Sequence, residues 1–214
     1  MRKITHHEEF YRGENYVERL NNVRGLIAGA GALGSNLGET LVRQGWHNFT
    51  LLDMDRVESH NIGTQIYDEE DIGSLKVAAC QNKFMRINSE QEVETCNKEL
   101  KSGNAKKLLK GYDLIIDAFD NNEARTVLQE YARANKVPCL HAGLHSDYGE
   151  VVWDSEYVVP QDAEGDVCDY PLARNLISII VSIAAEEVLD FCLEDNPRLQ
   201  NWTLTLRDLK ISKY

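Results

Sequence analysis

The segment Gly29-Ala30-Gly31-Ala32-Leu33-Gly34 constrains the fold of this chain more than any other. It follows the short apolar run Val23 to Ala28 and opens a helical stretch from about Leu33 to Gln44, which Gly45 ends. A glycine turn between a buried strand and a helix lets a phosphate come close to the backbone. The helix N-terminus behind it offers free N–H groups and a favourable dipole. Asp53 closes the next apolar run, Phe49 to Asp53, where an acidic side chain is placed to bond a ribose hydroxyl. A nucleotide is therefore expected at Gly29, Gly31, Gly34 and Asp53, and NAD and ATP both satisfy these residues. A tight turn with no ligand is the plainer alternative.

The rest of the chain continues the alternation of strand and helix. Lys76 to Ile87 and Asn122 to Asn135 carry apolar residues at helical spacing. Leu114 to Ala118, Pro138 to Ala142 and Gly149 to Trp153 read as strands, with Glu92 to Cys96 a weaker one. Residues 54–74 read as a loop with short helical turns. A long helix from about Leu172 to Leu193 and a strand from Trp202 to Leu206 follow, and the first twenty or so residues read as a leading helix or arm. This order predicts an α/β, Rossmann-like, doubly wound and mainly parallel sheet with helices on both faces and late antiparallel strands. No repeat or linker divides residues 1–214, so a single domain is expected. Such sheets bind ligands at the carboxyl ends of their strands, and the polar motifs here fall just after strands.

Composition narrows the partners. A formal net charge of −12 repels phosphate backbones, so nucleic acid is not expected as the main partner, although backbone amides can still bind a small phosphate ligand. The longest apolar run, Leu176 to Ala185, is too short to span a bilayer, and the N-terminus lacks an apolar signal core, so no membrane association is expected. The five cysteines, Cys80, Cys96, Cys139, Cys168 and Cys192, are widely spaced and form no CxxC pair. That pattern indicates neither a zinc site nor a disulfide scaffold and fits a reducing cytoplasm.

Four further segments sharpen the reading: Leu51-Leu52-Asp53-Met54-Asp55; Asn61-Ile62-Gly63-Thr64-Gln65; Gly73-Ser74-Leu75-Lys76; and Asp117-Ala118-Phe119-Asp120-Asn121. With the glycine turn, their order and spacing over about residues 20–190 resemble the ThiF/MoeB/HesA family of ubiquitin-activating-like enzymes. The resemblance implies attack of a carboxylate on the α-phosphate of ATP, giving an acyl adenylate and pyrophosphate. Positive groups and magnesium must stabilise the charge that shifts onto the phosphates. Lys76 would contact the phosphates, Asp120 would hold magnesium, and Asp53 would hold the ribose. Asn61 and Gln65 would line the phosphate and substrate side, with Asp55 and Asn121 beside the nucleotide. Read singly, Lys76 is a solvated lysine and Asp120-Asn121 a helix cap. Asp117, inside an apolar strand, needs a partner if it is ionised.

The chain departs from the family at Thr64, where the pattern has an arginine that contacts the phosphates. A hydroxyl replaces neither the charge nor the bidentate geometry of a guanidinium. Arg56 is expected to compensate, or Arg12 or Arg19 supplied by a dimer partner. Some relatives pass the activated carboxyl to a cysteine as a thioester, and the resemblance makes Cys168 the candidate for that catalytic nucleophile, with Asp166 and Asp169 beside it raising its pKa and Arg174 following to offset them. An incidental loop thiol is the plainer reading of Cys168. Cys80, Cys139 and Cys192 read as core. His141 and His145 read as loop groups near the mouth of the site, able to orient substrate. The resemblance further implies a small ubiquitin-like or sulfur-carrier protein with a C-terminal glycine as substrate, its tail entering over residues 143–171. It also implies a homodimer, with Tyr11, Tyr16 and the last helix at the interface. The alternatives are a nucleotide-binding scaffold of this fold without chemistry, favoured by Thr64, and an NAD-dependent oxidoreductase, which leaves Lys76 and Asp120 unused.

Overall fold

The computed structural model describes residues 3–160, 171–194, 197 and 199–214. Three four-residue strands set the architecture: β1 (Gly25–Ala28), β2 (Phe49–Leu52) and β4 (Leu114–Asp117). Every residue in them is buried. Strands covered on both faces read as continuous apolar runs, as these do, and belong in the middle of a parallel sheet. The observed sheet has eight strands in the order β3-β2-β1-β4-β5-β6-β7-β8. β3 (Glu94–Cys96), β2, β1, β4 and β5 (Cys139–His145) run parallel. β6 (Tyr148–Trp153), β7 (Trp202–Thr205) and β8 (Lys210–Lys213) follow antiparallel. The doubly wound, mainly parallel sheet with late antiparallel strands is as the sequence indicates.

Alternate strand residues feed two cores. Ile27, Leu51, Ile116 and Leu140 pack with α3 (Ala32–Arg43), α4 (Lys76–Ile87) and α7 (Arg174–Leu193). Leu26, Ala28, Leu52, Ile115 and Cys139 pack on the other face with α5 (Ala105–Leu108) and α6 (Asn122–Asn135). α7 is the apolar helix under one face, and its buried Glu187 has partners: it accepts hydrogen bonds from Trp153 Nε1 (2.9 Å), Trp202 Nε1 (2.7 Å) and Gln200 N (3.1 Å). Among the described residues no helix is long and apolar enough to cross a membrane.

The leading arm is two short helices, α1 (His6–Arg12) and α2 (Tyr16–Asn21). Tyr16 is 2% exposed and sits in the core of its own chain, so it is unavailable for the dimer interface expected of it. Arg12 is held within its own chain by Glu8 and by both carboxylate oxygens of Glu186 on α7. β5 and β6 run past the apolar segments that mark them in sequence, to His145 and Tyr148, and Ser146 takes φ +57 in the connecting turn.

Candidate active site

The strand order reverses direction of growth between β1 and β4, and the two motif-bearing turns leave the sheet at that switch point. Gly29 has φ +103, and a Cβ there would lie 2.6 Å from the Ala118 carbonyl oxygen, so the turn after β1 and the turn after β4 touch through it. A Cβ on Gly34 would overlap the Gly29 carbonyl oxygen. Both glycines are thus required by the protein's own packing. Gly31 is not: a Cβ there would meet nothing within 4 Å. Its bare backbone faces open space at the start of α3, which begins without a side-chain cap and so leaves its first N–H groups to a ligand.

Asp53, just past β2, braces this turn. One carboxylate oxygen accepts the Ala30 N–H (2.6 Å) and the other the Asp55 N–H (2.7 Å). Tyr67 holds the turn from the opposite side, donating to the Ala30 carbonyl at 2.7 Å. Beyond Asp55 the chain folds back on itself: Val57 N bonds Ser74 O, Gly73 N bonds Val57 O, and Lys76 N bonds Asp55 O. Gly73 takes φ +86 in this fold, and Arg56 donates to the Gly73 carbonyl (2.7 Å). The result puts Lys76, remote from Asp53 in sequence, beside it in space.

Lys76 is 8% exposed, and its Nζ lies 3.1 Å from Asp55 Oδ2. Burial alone pulls its pKa down, but the charges of Asp53, Asp55 and Asp120 outweigh that and hold it above the usual lysine value. It is therefore a permanent cation. Burial raises the Asp53 carboxyl, with Lys76 and the two backbone N–H groups working against that shift. The ammonium thus pairs directly with Asp55 and feels the charges of Asp53 and of the exposed Asp120. That residual negative charge, on hard oxygen ligands, fits a magnesium ion better than a soft metal. Among the described residues no three His, Cys, Asp or Glu are grouped to hold a metal.

The turn after β4 rests on a buried polar network that residue spacing does not disclose. Asp117 is fully buried. Its carboxylate meets His141 Nδ1 (2.8 Å) and Arg125 Nη1 (3.7 Å) and accepts the Phe119 N–H (3.1 Å). Burial pushes its pKa up, but Arg125 first and His141 second hold it below the ordinary carboxylate value. Arg125 also donates to the Phe119 carbonyl (2.7 Å) and the Ala142 carbonyl (3.0 Å), so it fixes the backbone that carries Asp120. His141 is fully buried, stacked on Tyr157 and bonded to Asp117 and Asp154. The expectation that it orients substrate is corrected: it is a structural member of this network.

Asn121 caps α6, accepting the Ala124 N–H at 2.8 Å. Asn61 is buried and closes a 3-10 turn, its Oδ1 accepting the Glu58 N–H at 2.9 Å. Gln65, one turn later, keeps a buried Oε1 with no hydrogen-bond partner among the described residues. An orphaned buried acceptor is costly and marks a place where a ligand donor fits. Thr64 turns its carbonyl to two donors, Asn36 Nδ2 (3.0 Å) and Arg174 Nη1 (2.8 Å). Cys80 and Cys139 are buried, as expected of core thiols, and burial raises both pKa values, that of Cys80 to about 12. Cys168 and residues 161–170 of the expected tail path lie outside the described residues.

Residues 2–212 match the family model described as the ThiF family. Among curated proteins, the chain is similar to the sulfur carrier protein adenylyltransferase of Thermus thermophilus, at 33% identity over 135 residues, 63% of this chain and 50% of the relative. It is also similar to the molybdopterin-synthase adenylyltransferase of Escherichia coli, at 33% identity over 135 residues, 63% of this chain and 54% of the relative. The chain spans about half the length of these relatives. Among solved structures, E. coli MccB with ATP superposes with a TM-score of 0.84 at 17% identity, covering 99% of this chain and 71% of that one, a likeness of fold.

Proposed function

The chain belongs to the ThiF family, and from that premise we propose that it binds ATP with magnesium and adenylates the C-terminal carboxylate of a small ubiquitin-like or sulfur-carrier protein. The observation that carries this reading is Lys76: a nearly buried ammonium, raised in pKa, set among Asp53, Asp55 and Asp120 at the switch point beside the glycine turn. An incidental surface lysine is not nearly buried against a carboxylate partner with two further acidic charges acting on it.

In the reaction, a carboxylate oxygen of the tail attacks the α-phosphorus. The bond from that phosphorus to the β-phosphate bridge breaks, and pyrophosphate leaves with the electron pair. The phosphates lie against Gly31 and the uncapped N-terminus of α3. Lys76 neutralises charge moving onto the leaving pyrophosphate. Asp53 receives a ribose hydroxyl on a remaining lone pair while keeping its backbone N–H donors. Asp120 would hold magnesium, which would supply neutralisation of phosphate charge. Gln65 offers its orphaned oxygen to an N–H of the incoming tail.

A carrier protein as substrate is supported by the names of the adenylyltransferase relatives. A homodimer is supported by α1, where Phe10 is 89% and Tyr11 80% exposed. The described cysteines are all free, which fits action in a reducing cytoplasm. The scaffold reading rests on Thr64 and predicts ATP binding without chemistry. The oxidoreductase reading leaves the Lys76 cluster without a use. The test is incubation with α-labelled ATP, magnesium and candidate carriers ending in glycine. A carrier that gains one AMP at its C-terminus supports adenylation. Retained ATP with no labelled carrier supports the scaffold, and retention of NAD in place of ATP supports the oxidoreductase.

A further inference from the structure

We propose that Arg174, the first residue of α7, supplies the phosphate-contacting guanidinium that position 64 lacks. The inference rests on the adenylation reading above and adds a residue from the far end of the chain to that site. Arg174 Nη1 donates to the Thr64 carbonyl at 2.8 Å. The same carbonyl accepts Asn36 Nδ2 at 3.0 Å, and that Nδ2 also reaches the Ala32 carbonyl at 2.7 Å. Ala32 is the first residue of α3. One carbonyl and one amide therefore separate the guanidinium from the helix turn where the phosphates lie.

The position of this cation has no stabilising explanation in the helix that carries it. A positive side chain in the first turn opposes the helix dipole, and α7 has no acidic residue in that turn. Among the described residues, no carboxylate pairs with Arg174. Lys76 pairs with Asp55 and Arg12 with Glu8 and Glu186, while Arg125 is locked in the buried network. Arg56 donates in the same way to a neutral carbonyl, but to that of Gly73 on the Lys76 side, whereas Arg174 is docked on residue 64 itself. Arg174 is exposed and, among the described residues, anchored through a neutral acceptor, which leaves its guanidinium charge uncompensated there. The site needs such a cation, because Lys76 already balances against Asp53, Asp55 and Asp120. Thr64 thus changes role: its backbone becomes the dock for an arginine that arrives from elsewhere.

The test is calorimetric binding of MgATP and of adenosine to the full chain. The variants are Arg174→Ala, Arg174→Lys, and Arg174→Ala combined with Thr64→Arg, each with a thermal melt. Loss of one charge-assisted contact predicts about a 10-fold or greater fall in MgATP affinity for Arg174→Ala. Adenosine affinity should stay within about 2-fold, since that ligand has no phosphate to lose. Lysine should recover part of the MgATP affinity and the combined variant most of it, with no fall in melting temperature for Arg174→Ala. MgATP affinity unchanged in Arg174→Ala, or an equal loss for both ligands together with a lower melting temperature, overturns the proposal while leaving adenylation standing. A wild-type chain that binds neither ligand overturns both.

Discussion

Gly31 and Gly34 stand three residues apart in one turn, and the account assigns them different reasons to be glycine. A Cβ on Gly34 overlaps the Gly29 carbonyl oxygen, a backbone atom that cannot swing aside, so Gly34→Ala must push α3 off the sheet. Overpacking of that severity is expected to cost about 3 kcal/mol or more. A Cβ on Gly31 meets nothing, and its φ of −79° is one that alanine adopts freely. Gly31→Ala gains roughly 0.4–1 kcal/mol from a stiffer unfolded chain and loses a similar amount because alanine is a poorer N-cap. Its net stability should change by less than about 1 kcal/mol. The new methyl stands where a phosphate oxygen must approach the N–H groups of α3. Losing one or two charged hydrogen bonds at about 1.5–3 kcal/mol each weakens ATP binding by at least about 10-fold. Urea unfolding and calorimetric titration with MgATP read the two effects separately. A Gly31→Ala protein that binds MgATP like the wild type would refute the placement of the phosphates on this turn.

Three other outcomes follow from the same geometry. Lys76→Ala removes the one ammonium facing Asp53, Asp55 and Asp120, and turnover measured as adenylated carrier should fall by about 100-fold or more; a loss under about 3-fold would place Lys76 outside the chemistry. Asp117 is held below the ordinary carboxylate value, so it stabilises the fold above its unfolded pKa of roughly 3.9 and loses that contribution as pH falls through its lower folded value. Asp117→Asn should therefore cost about 3 kcal/mol at pH 7 by leaving Arg125 buried without its counter-charge. Urea melts of that variant from pH 5 to pH 2 should show a shallower acid loss than the wild type. Glu187→Leu strands the indole N–H groups of Trp153 and Trp202, and a thermal melt should register a loss of roughly 2–4 kcal/mol, whereas Glu187→Gln keeps acceptor capacity and costs less.

What the sequence disclosed is what local chemistry dictates. The glycine turn, Asp53 and the runs that became β1, β2 and β4 are legible because turn geometry and burial on both faces restrict the residues allowed. β8, Lys210–Lys213, escaped notice because an exposed edge strand needs no apolar alternation. α5 escaped because four residues carry too little helical period to read. Asp117 was conspicuous as an acid inside an apolar strand, yet its partners Arg125 and His141 come from α6 and β5, and only the β4–β5 pairing and the first turn of α6 bring them to it. His141 follows the same logic: a histidine at a strand end near a site has a functional look in sequence, but the carboxylates on both its nitrogens come from residues distant in the chain. The link between Arg174 and Thr64 spans 110 residues and depends on α7 lying alongside α3, which no spacing rule reports.

ATP–pyrophosphate exchange with magnesium, run with a carrier ending in glycine and with the same carrier lacking its last residues, separates adenylation from mere nucleotide binding. Exchange should require magnesium and the intact tail and disappear in Lys76→Ala. Measurable ATP binding with no exchange for any carrier would contradict adenylation and leave a nucleotide-binding scaffold with Thr64 as its defining residue.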